Sequence, residues 1–363
     1  MNHELRCVKC IMPASAPGSS FDETGTCSWC RSDFPGYAPR GIEALKERLA
    51  GVAGRGQEAD CLVAVSGGKD SAFSLLALQS MFGARVEAFT YVHDGLTDFA
   101  RRNASAVCET LGVRHHEVRL QGQKHLELFR AYFSAWVDSR EPVTAAMTCV
   151  GCKHLHIMGT RLAHERGIPM VVWSACPLET PPFIPTQRPG NGKAQSQSFA
   201  GLGQTLARTM MRDKQFRKTF WASPGVNIVG CLAFRPGTSV ARLLYCDVSH
   251  LHFFEYYPWN AVEMRRMLSS RTPWSIPGNQ VTDWHSDCVF NVFKEYMFQS
   301  MFNVSYTDGF LSNQIRYGLL SRAQAMKDLM ASKEFFARQF LPALETVGLK
   351  HLAPHCDTSC FGH

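Results

Sequence analysis

The stretch that decides the reading is AVSGGKDSAF, residues 64–73, which begins inside the apolar run CLVAV at residues 61–65. A short apolar run bounded by turn residues reads as a buried strand. Two glycines, a lysine and two serines then open SAFSLLALQSMFG, which carries helical spacing and stops at Gly83. Glycines let backbone N–H groups approach a phosphate closely. A helix N-terminus adds partial positive charge, and serine hydroxyls add donors. Ser66, Gly67, Gly68, Lys69, Asp70 and Ser71 therefore read as a phosphate-holding loop between a strand and a helix. The loop is not of the Walker type, which places a glycine five positions before its Gly-Lys pair and a Ser or Thr directly after it. Here those positions are Val63 and Asp70.

Outward from this loop, strand and helix patterns alternate. Residues 84–92, 113–120 and 168–175 read as strands, and 98–112, 126–138 and 152–167 as helices. Such alternation predicts a doubly wound parallel sheet in an α/β domain. VNIVGCLAF (226–234) and RLLYCDV (242–248) read as further strands. Residues 181–225 interrupt the pattern with PPFIP, RPGNG and a basic segment, and read as a surface insertion or a substrate lid. From Trp259 the pattern is mainly helical, with a helix beginning after Ser321. The predicted organisation is a small module over 1–40, an α/β domain over 41–255 and a helical region over 256–363.

The 363 residues carry 38 Lys and Arg against 31 Asp and Glu, a formal charge of +7. That mild excess suits anionic substrates such as nucleotides, and no dense basic run marks a nucleic-acid tract. No apolar run approaches the ~20 residues of a membrane helix, and the first residues have no signal-peptide core. The reading is a cytoplasmic protein that does not enter the membrane. Its 14 cysteines, several in pairs, then point to metal or sulfur chemistry rather than disulfides.

SGGKDS matches every fixed position of the SGGxDS signature and resembles the PP-loop of ATP pyrophosphatases, the adenine nucleotide alpha hydrolase-like superfamily. That resemblance implies a PP-loop/HUP-type α/β fold and a reaction with ATP and Mg²⁺. AMP passes to a carbonyl or amide oxygen, pyrophosphate leaves, and a nucleophile displaces AMP. It gives Lys69 a charge-offsetting role and Asp70 a loop-orienting or metal-facing one. It also makes Ala88, Phe89, Thr90 and Tyr91, on the second strand, candidate adenine contacts.

Cys7-x-x-Cys10 and Cys27-x-x-Cys30 stand sixteen residues apart. Two such pairs can place four thiolates on one ion, for which zinc is the usual occupant. A 40-residue segment so poor in apolar residues needs a staple of this kind. The N-terminal module is therefore expected to be zinc-ribbon-like. CVKCIMP and FDETGTCSWC further resemble the N-terminus of the N-acetyl sugar amidotransferase family. The resemblance continues in order through FTYVHDGLTDFARRN, CVGCKH, IPMVVW and SNQIRYGLLSRAQAM. It implies transfer of ammonia to an activated carbonyl or amide of a sugar-like or related small molecule, with ammonia from solution or a separate glutaminase subunit. The sequence departs from the family at Val92, where an aspartate is usual. It departs again at Ser174-Ala175-Cys176-Pro177, where a Gly-Glu pair is usual.

A third CxxC, Cys149 and Cys152, precedes a helix on the expected ligand edge of the sheet. Thiolates at such a position are lowered in pKa. With Cys288 as third ligand and Cys231 behind it, the layout resembles sulfur-inserting PP-loop enzymes that hold a [4Fe-4S] cluster. This gives the alternative function, sulfur transfer to tRNA or a small molecule from a sulfur donor, with tRNA ranked behind a small molecule. A turn with buried cysteines is the plain structural reading of the same pair. A homo-oligomer is expected. His93 and Asp94 are further candidates for substrate or metal contact. Arg316 reads as an anion anchor or a structural ion pair. Cys356 and Cys360 fall in a tail expected to be loose.

Overall fold

The computed structural model describes residues 5–32, 37–120, 124–179, 199–233, 239–276 and 287–361. Its centre is β1 (Cys61–Ala64), the predicted apolar run. β2 (Val86–Tyr91), β3 (His115–Val118), β4 (Met170–Trp173) and β5 (Ser249–His252) join it in one parallel sheet of order β3-β2-β1-β4-β5. Val63 pairs with Ala88 on one side and Val172 on the other. The chain builds outward from β1 to β3, then returns to β4 and β5. β1 and β4 thus flank a topological switch point, where a crevice opens at the carboxyl ends of the strands.

The helices follow in chain order. α1 (Ser28–Arg31) belongs to the cysteine module and α2 (Ile42–Ala50) leads to β1. α3 (Lys69–Ser80) and α4 (Asp98–Leu111) connect β1, β2 and β3. α5 (Lys124–Ser139), α6 (Pro142–Met147) and α7 (Val150–Glu165) connect β3 to β4. α8 (Phe199–Arg212), α9 (Lys214–Ala222), α10 (Pro224–Leu232) and α11 (Ser239–Leu244) precede β5. α12 (Ala261–Arg271), α13 (Phe290–Phe302), α14 (Tyr306–Arg316) and α15 (Arg322–Thr346) follow it.

Alternation along each strand sends side chains to two different cores. Cys61, Val63 and Ala88 pack with α3, α4 and α12. Leu62, Phe89, Val171 and Trp173 pack with α7 on the opposite face. The sheet is therefore covered on both sides, as the doubly wound reading requires. The helices beyond β5 do not stand apart from it, because Trp259, Trp274, Phe310 and Leu329 share the core of Val63 and Phe73. A second aromatic core joins α5 to α13 and α15 through Phe129, Phe133, Phe293 and Phe340.

One of the expected strands is a helix, and the other, over 242–248, is helical only as far as Leu244, with β5 beginning directly after it at Ser249. VNIVGCL lies in α10, and α11 takes Ser239 to Leu244. A short apolar run does not distinguish a strand from a buried helix. Pro224 opens α10, and Gly230 lets it press onto α7, where a Cβ would sit 2.6 Å from Val150 Cγ2. The expected lid falls partly on residues 180–198, outside those described, and continues into α8 and α9. The tail is packed rather than loose: Phe361 is buried and Arg140 Nη2 donates to the His355 carbonyl at 2.9 Å.

α7 lies so close to the sheet that a Cβ on Gly159 would stand 2.3 Å from the Phe89 ring. Gly159→Ala is expected to lower unfolding stability by about 1–3 kcal/mol, the usual effect of overpacking. Urea denaturation followed by circular dichroism measures this, and an unchanged midpoint would contradict the packing.

Candidate functional site

The loop after β1 is shaped by its own serines. Ser66 N–H donates to Ser71 Oγ at 3.1 Å, and Ser71 Oγ donates to the Gly68 carbonyl at 3.1 Å. Gly67 takes φ +85°, and a Cβ there would lie 1.9 Å from the Ala100 carbonyl oxygen of α4. Its own carbonyl accepts from Trp274 Nε1 at 3.0 Å and Asn103 Nδ2 at 3.3 Å. Gly67 therefore fixes the turn from behind, while Ser66, Gly68, Lys69, Asp70 and Ser71 face a cavity of about 780 Å³.

That cavity lies at the switch point between β1 and β4, the place such folds use for ligands. Lys69 Nζ is 3.2 Å from Asp70 Oδ1 and lies over the Trp259 ring at 4.9 Å from its centroid. Trp259 Nε1 donates to the same Asp70 oxygen at 3.1 Å. Trp259, legible in sequence only as a core or interface aromatic, thus orients the charged pair of the loop. Asp287 lies across the loop, its Oδ2 3.6 Å from where a Gly68 Cβ would be. Burial raises the Asp287 pKa, and the charge of Asp70 adds to it.

The candidate adenine stretch divides by alternation. Phe89 and Tyr91 line the cavity. Ala88 and Thr90 do not: Ala88 lies in the α3-side core, and Thr90 Oγ1 donates to the Val65 carbonyl at 2.6 Å. Those two expectations are corrected, because neighbouring strand residues face opposite ways.

The third CxxC does meet the phosphate loop. Cys152 and Cys288 both line the cavity that holds Ser66 and Lys69. Cys149 stands at the N-cap of α7, behind that wall. The hydrogen bond with Cys152 lowers the Cys149 thiol to about 6, and Lys294 and Lys153 add to the effect. Cys152 Sγ is 3.3 Å from His125 Nε2, and Tyr91 donates its hydroxyl to the Gly151 carbonyl at 3.0 Å, tying the turn to β2. Cys288 is held by the segment after β2: Thr97 N–H donates to the Asp287 carbonyl and Val289 N–H to the Gly95 carbonyl. His93 lines the same cavity, and burial depresses its imidazole to about 4. Asp94 is exposed and does not line it. Cys231 is not with this trio but beside Met147, at 3.8 Å.

Sequence reading passed over Glu179 and Lys294. Lys294 Nζ sits 3.4 Å from the Tyr306 ring centroid. Glu179 lines the cavity, and burial first, then the charge of Asp70, pushes its carboxyl up to about 8. Only tertiary folding assembles these groups, and no local spacing announces them.

The four N-terminal cysteines form a second centre. Their sulfurs all lie within 4.8 Å of one another, and Cys10 Sγ and Cys27 Sγ are 3.7 Å apart. Tetrahedral thiolates about 2.3 Å from one ion stand about 3.8 Å apart. The donor set thus fits a single thiophilic ion. This module is clamped to the C-terminal helices. Arg6 pairs with Asp308 at 2.5 Å, and Arg322 Nε donates to the Cys7 and Cys10 carbonyls. Arg316 Nη1 donates to Cys10 Sγ at 3.5 Å, which gives it a structural role rather than that of an anion anchor.

No protein-family model matches the chain, and no curated protein matches it. Among solved structures, the U34-tRNA thiolase NcsA from Methanococcus maripaludis with its [4Fe-4S] cluster is similar over 87% of this chain and 86% of that chain. The identity is 14% and the TM-score 0.33. A TM-score that low does not establish a shared fold, so the α/β assignment stands on the strand order itself. No helix among the described residues is long and apolar enough to cross a membrane.

Glu179 keeps its proton far above the 4.5 usual for its carboxyl. A carboxyl raised in the folded state contributes stability below its ordinary value, and that contribution is lost as pH rises through the folded one. The Glu179 contribution to the unfolding free energy is therefore expected to fall between pH 4.5 and about 8, so that the wild type loses stability relative to Glu179→Gln over that range. Denaturant titrations across that range measure the difference, and parallel pH profiles would remove Glu179 from the site's proton inventory.

Proposed function

We infer that the chain is an ATP-dependent sulfur transferase of the PP-loop kind. The observation that carries this reading is the shared cavity: Cys152 and Cys288 face the loop that carries Ser66, Lys69 and Ser71. Amidotransfer needs an activating loop but no thiols beside it, and three cysteines at that edge favour sulfur as the entering atom.

ATP would place its pyrophosphate on the backbone amides and hydroxyls of residues 66–71, with Lys69 offsetting charge. Its base would lie toward Phe89 and Tyr91. Asp70 and Asp287 face the same space, so the phosphates require a divalent cation such as Mg²⁺ to enter beside two carboxylates. The carbonyl or amide oxygen of the acceptor attacks the α-phosphate and pyrophosphate leaves. Hydrosulfide sulfur then attacks the activated carbon, and AMP departs with the former carbonyl oxygen. The sum is amide plus ATP plus hydrosulfide to thioamide plus AMP plus pyrophosphate, the hydrosulfide proton ending on pyrophosphate or buffer.

Three thiols are the donor set of an iron–sulfur cubane with one open iron. Among the described residues the compact spacing of a single-ion site occurs at the N-terminal cysteines and not at this trio. A cluster held by Cys149, Cys152 and Cys288 would supply, when bound, a coordination position for the sulfur donor. The residues themselves do the rest: Tyr91 fixes the CxxC turn, and the segment after β2 fixes Cys288. Zinc is the ion proposed for Cys7, Cys10, Cys27 and Cys30, where it would hold the module against α14 and α15.

Protein purified without oxygen is expected to carry iron and sulfide that Cys288→Ser loses, and zinc that Cys27→Ser loses. With ATP, sulfide and a low-molecular-mass cell extract as the source of the amide or carbonyl acceptor, it should form AMP and pyrophosphate, and Lys69→Ala should slow this by about a hundredfold or more, since loss of one charge-stabilising group has that scale. A colourless, iron-free protein that consumes ammonia in place of sulfide would establish amidotransfer instead.

A further inference from the structure

The other carboxyl groups that line the cavity have partners, and Glu179 does not. Asp70 accepts from Trp259 and pairs with Lys69. Asp287 bonds Ser66, and Asp328 accepts from Gln324. Glu179 lines the same cavity, half-buried, and among the described residues no hydrogen bond or ion pair takes its carboxyl. The imidazole in the cavity is committed too. His93 Nδ1 accepts from the Gly95 N–H at 3.1 Å, so the other nitrogen carries the proton of the neutral ring. His93 can donate into the cavity but not accept.

Glu179 is placed by its backbone. It ends a short 3₁₀ turn, Pro177–Glu179, that follows β4, and its N–H donates to the Cys176 carbonyl at 3.1 Å. Asn313 Nδ2 of α14 donates to the Leu178 carbonyl at 2.7 Å, and Arg316 Nη2 donates to Asn313 Oδ1 at 2.6 Å. Asn313 is only 3% exposed, so water competes little for these bonds. The turn is fixed, and the carboxyl is left to the cavity.

The charges that face Glu179 come from two sides. Asp70 and Lys69 belong to the phosphate loop, and Asp287 and Lys294 lie by Cys288. Cys176 faces it from its own turn. Glu179 thus stands between the phosphate loop and the thiols. The acceptor carbon must occupy that interval, because its oxygen bonds the α-phosphate first and sulfur bonds the carbon second. Burial, then Asp70, holds the carboxyl at about 8, where one group can both take and return a proton near neutral pH.

We propose that Glu179 is a catalytic residue of the reaction above, the proton carrier for the nitrogen of an acceptor amide. The proposal rests on the ATP-dependent reading and adds to it the path of the proton. In the first step the Glu179 carboxylate takes the amide N–H proton. The amide oxygen bonds the α-phosphate, and pyrophosphate leaves with the electron pair of the bond that breaks. A carbon–nitrogen double bond remains. In the second step hydrosulfide sulfur bonds the carbon, the double-bond pair moves to nitrogen, and nitrogen takes its proton back from Glu179. AMP then leaves with the carbon–oxygen pair, and the sulfhydryl proton passes to pyrophosphate or buffer as the thioamide forms. Glu179 ends the cycle as it began.

The test is pyrophosphate release in the first turnover of the full-length protein. ATP, Mg²⁺ and a low-molecular-mass cell extract as acceptor source are supplied, and pH is varied. The wild-type rate is expected to rise with pH and level off above about 8, since the carboxylate form must take the proton. Glu179→Gln should be slower by about a hundredfold or more, the scale of one general base, and should lose that rise. Glu179→Asp keeps a carboxylate on a shorter chain and should recover part of the rate, with the rise. Both variants should bind a fluorescent ATP analogue as tightly as the wild type. A Glu179→Gln protein that keeps the wild-type rate or the wild-type rise overturns the proposal and leaves adenylation standing. So does loss of analogue binding by both variants, which would make Glu179 part of the nucleotide site or of the fold. A wild type that releases no pyrophosphate refutes adenylation, and the role of Glu179 with it.

Discussion

The contact on which the site depends is the one between Gly67 and α4. Backbone meets backbone there so closely that no side chain fits, and the Gly67 carbonyl is taken by Trp274 and Asn103 from two other elements. That contact turns the loop so that Ser66, Gly68 and Ser71 face the crevice and not the core. A loop that must bind phosphate through its backbone has to be held from behind, since its front must stay open. Trp259 does the corresponding work for the charges, by bonding Asp70 and lying beneath Lys69.

A second constraint links the N-terminal cysteines to the far end of the chain. Arg6, Arg316 and Arg322 reach across more than three hundred residues to join the cysteine module to α14 and α15. Those helices also form one side of the cavity. The geometry of the module and the width of the cavity are therefore set together. Arg316, which the sequence leaves open between an anion anchor and a structural ion pair, joins Arg322 in the fold as a clamp on backbone carbonyls and a sulfur.

The cysteines show how differently two similar motifs are used. Cys7, Cys10, Cys27 and Cys30 close on a single small volume. Cys149 and Cys152 open α7 and meet Cys288, which arrives from a distant segment held by two backbone hydrogen bonds to the stretch after β2. Half-buried polar groups crowd this second region, among them His93, Glu179, Asp287 and Lys294. Burial shifts each of them toward its neutral form, so a charged ligand entering there changes the protonation of its walls.

The sequence by itself determined the strand–loop–helix around residues 61–80, the parallel α/β class and the four-cysteine knuckle. Each of these is local: a period, a glycine pair or a fixed spacing carries it. It did not determine that VNIVGCL is a helix, because an apolar run carries no period of its own and only the packing of Gly230 on Val150 decides it. Nor did it separate Phe89 and Tyr91 from Ala88 and Thr90 as cavity residues, since strand alternation shows the two sets but not which face is open. Tertiary structure alone brought Asp287, Glu179 and the Gln324–Asp328–Ser332 face to the phosphate loop. The reason is physical: these groups come from segments far apart in the chain, and only the shared core of β1, α3, α12 and α14 fixes the distances between them.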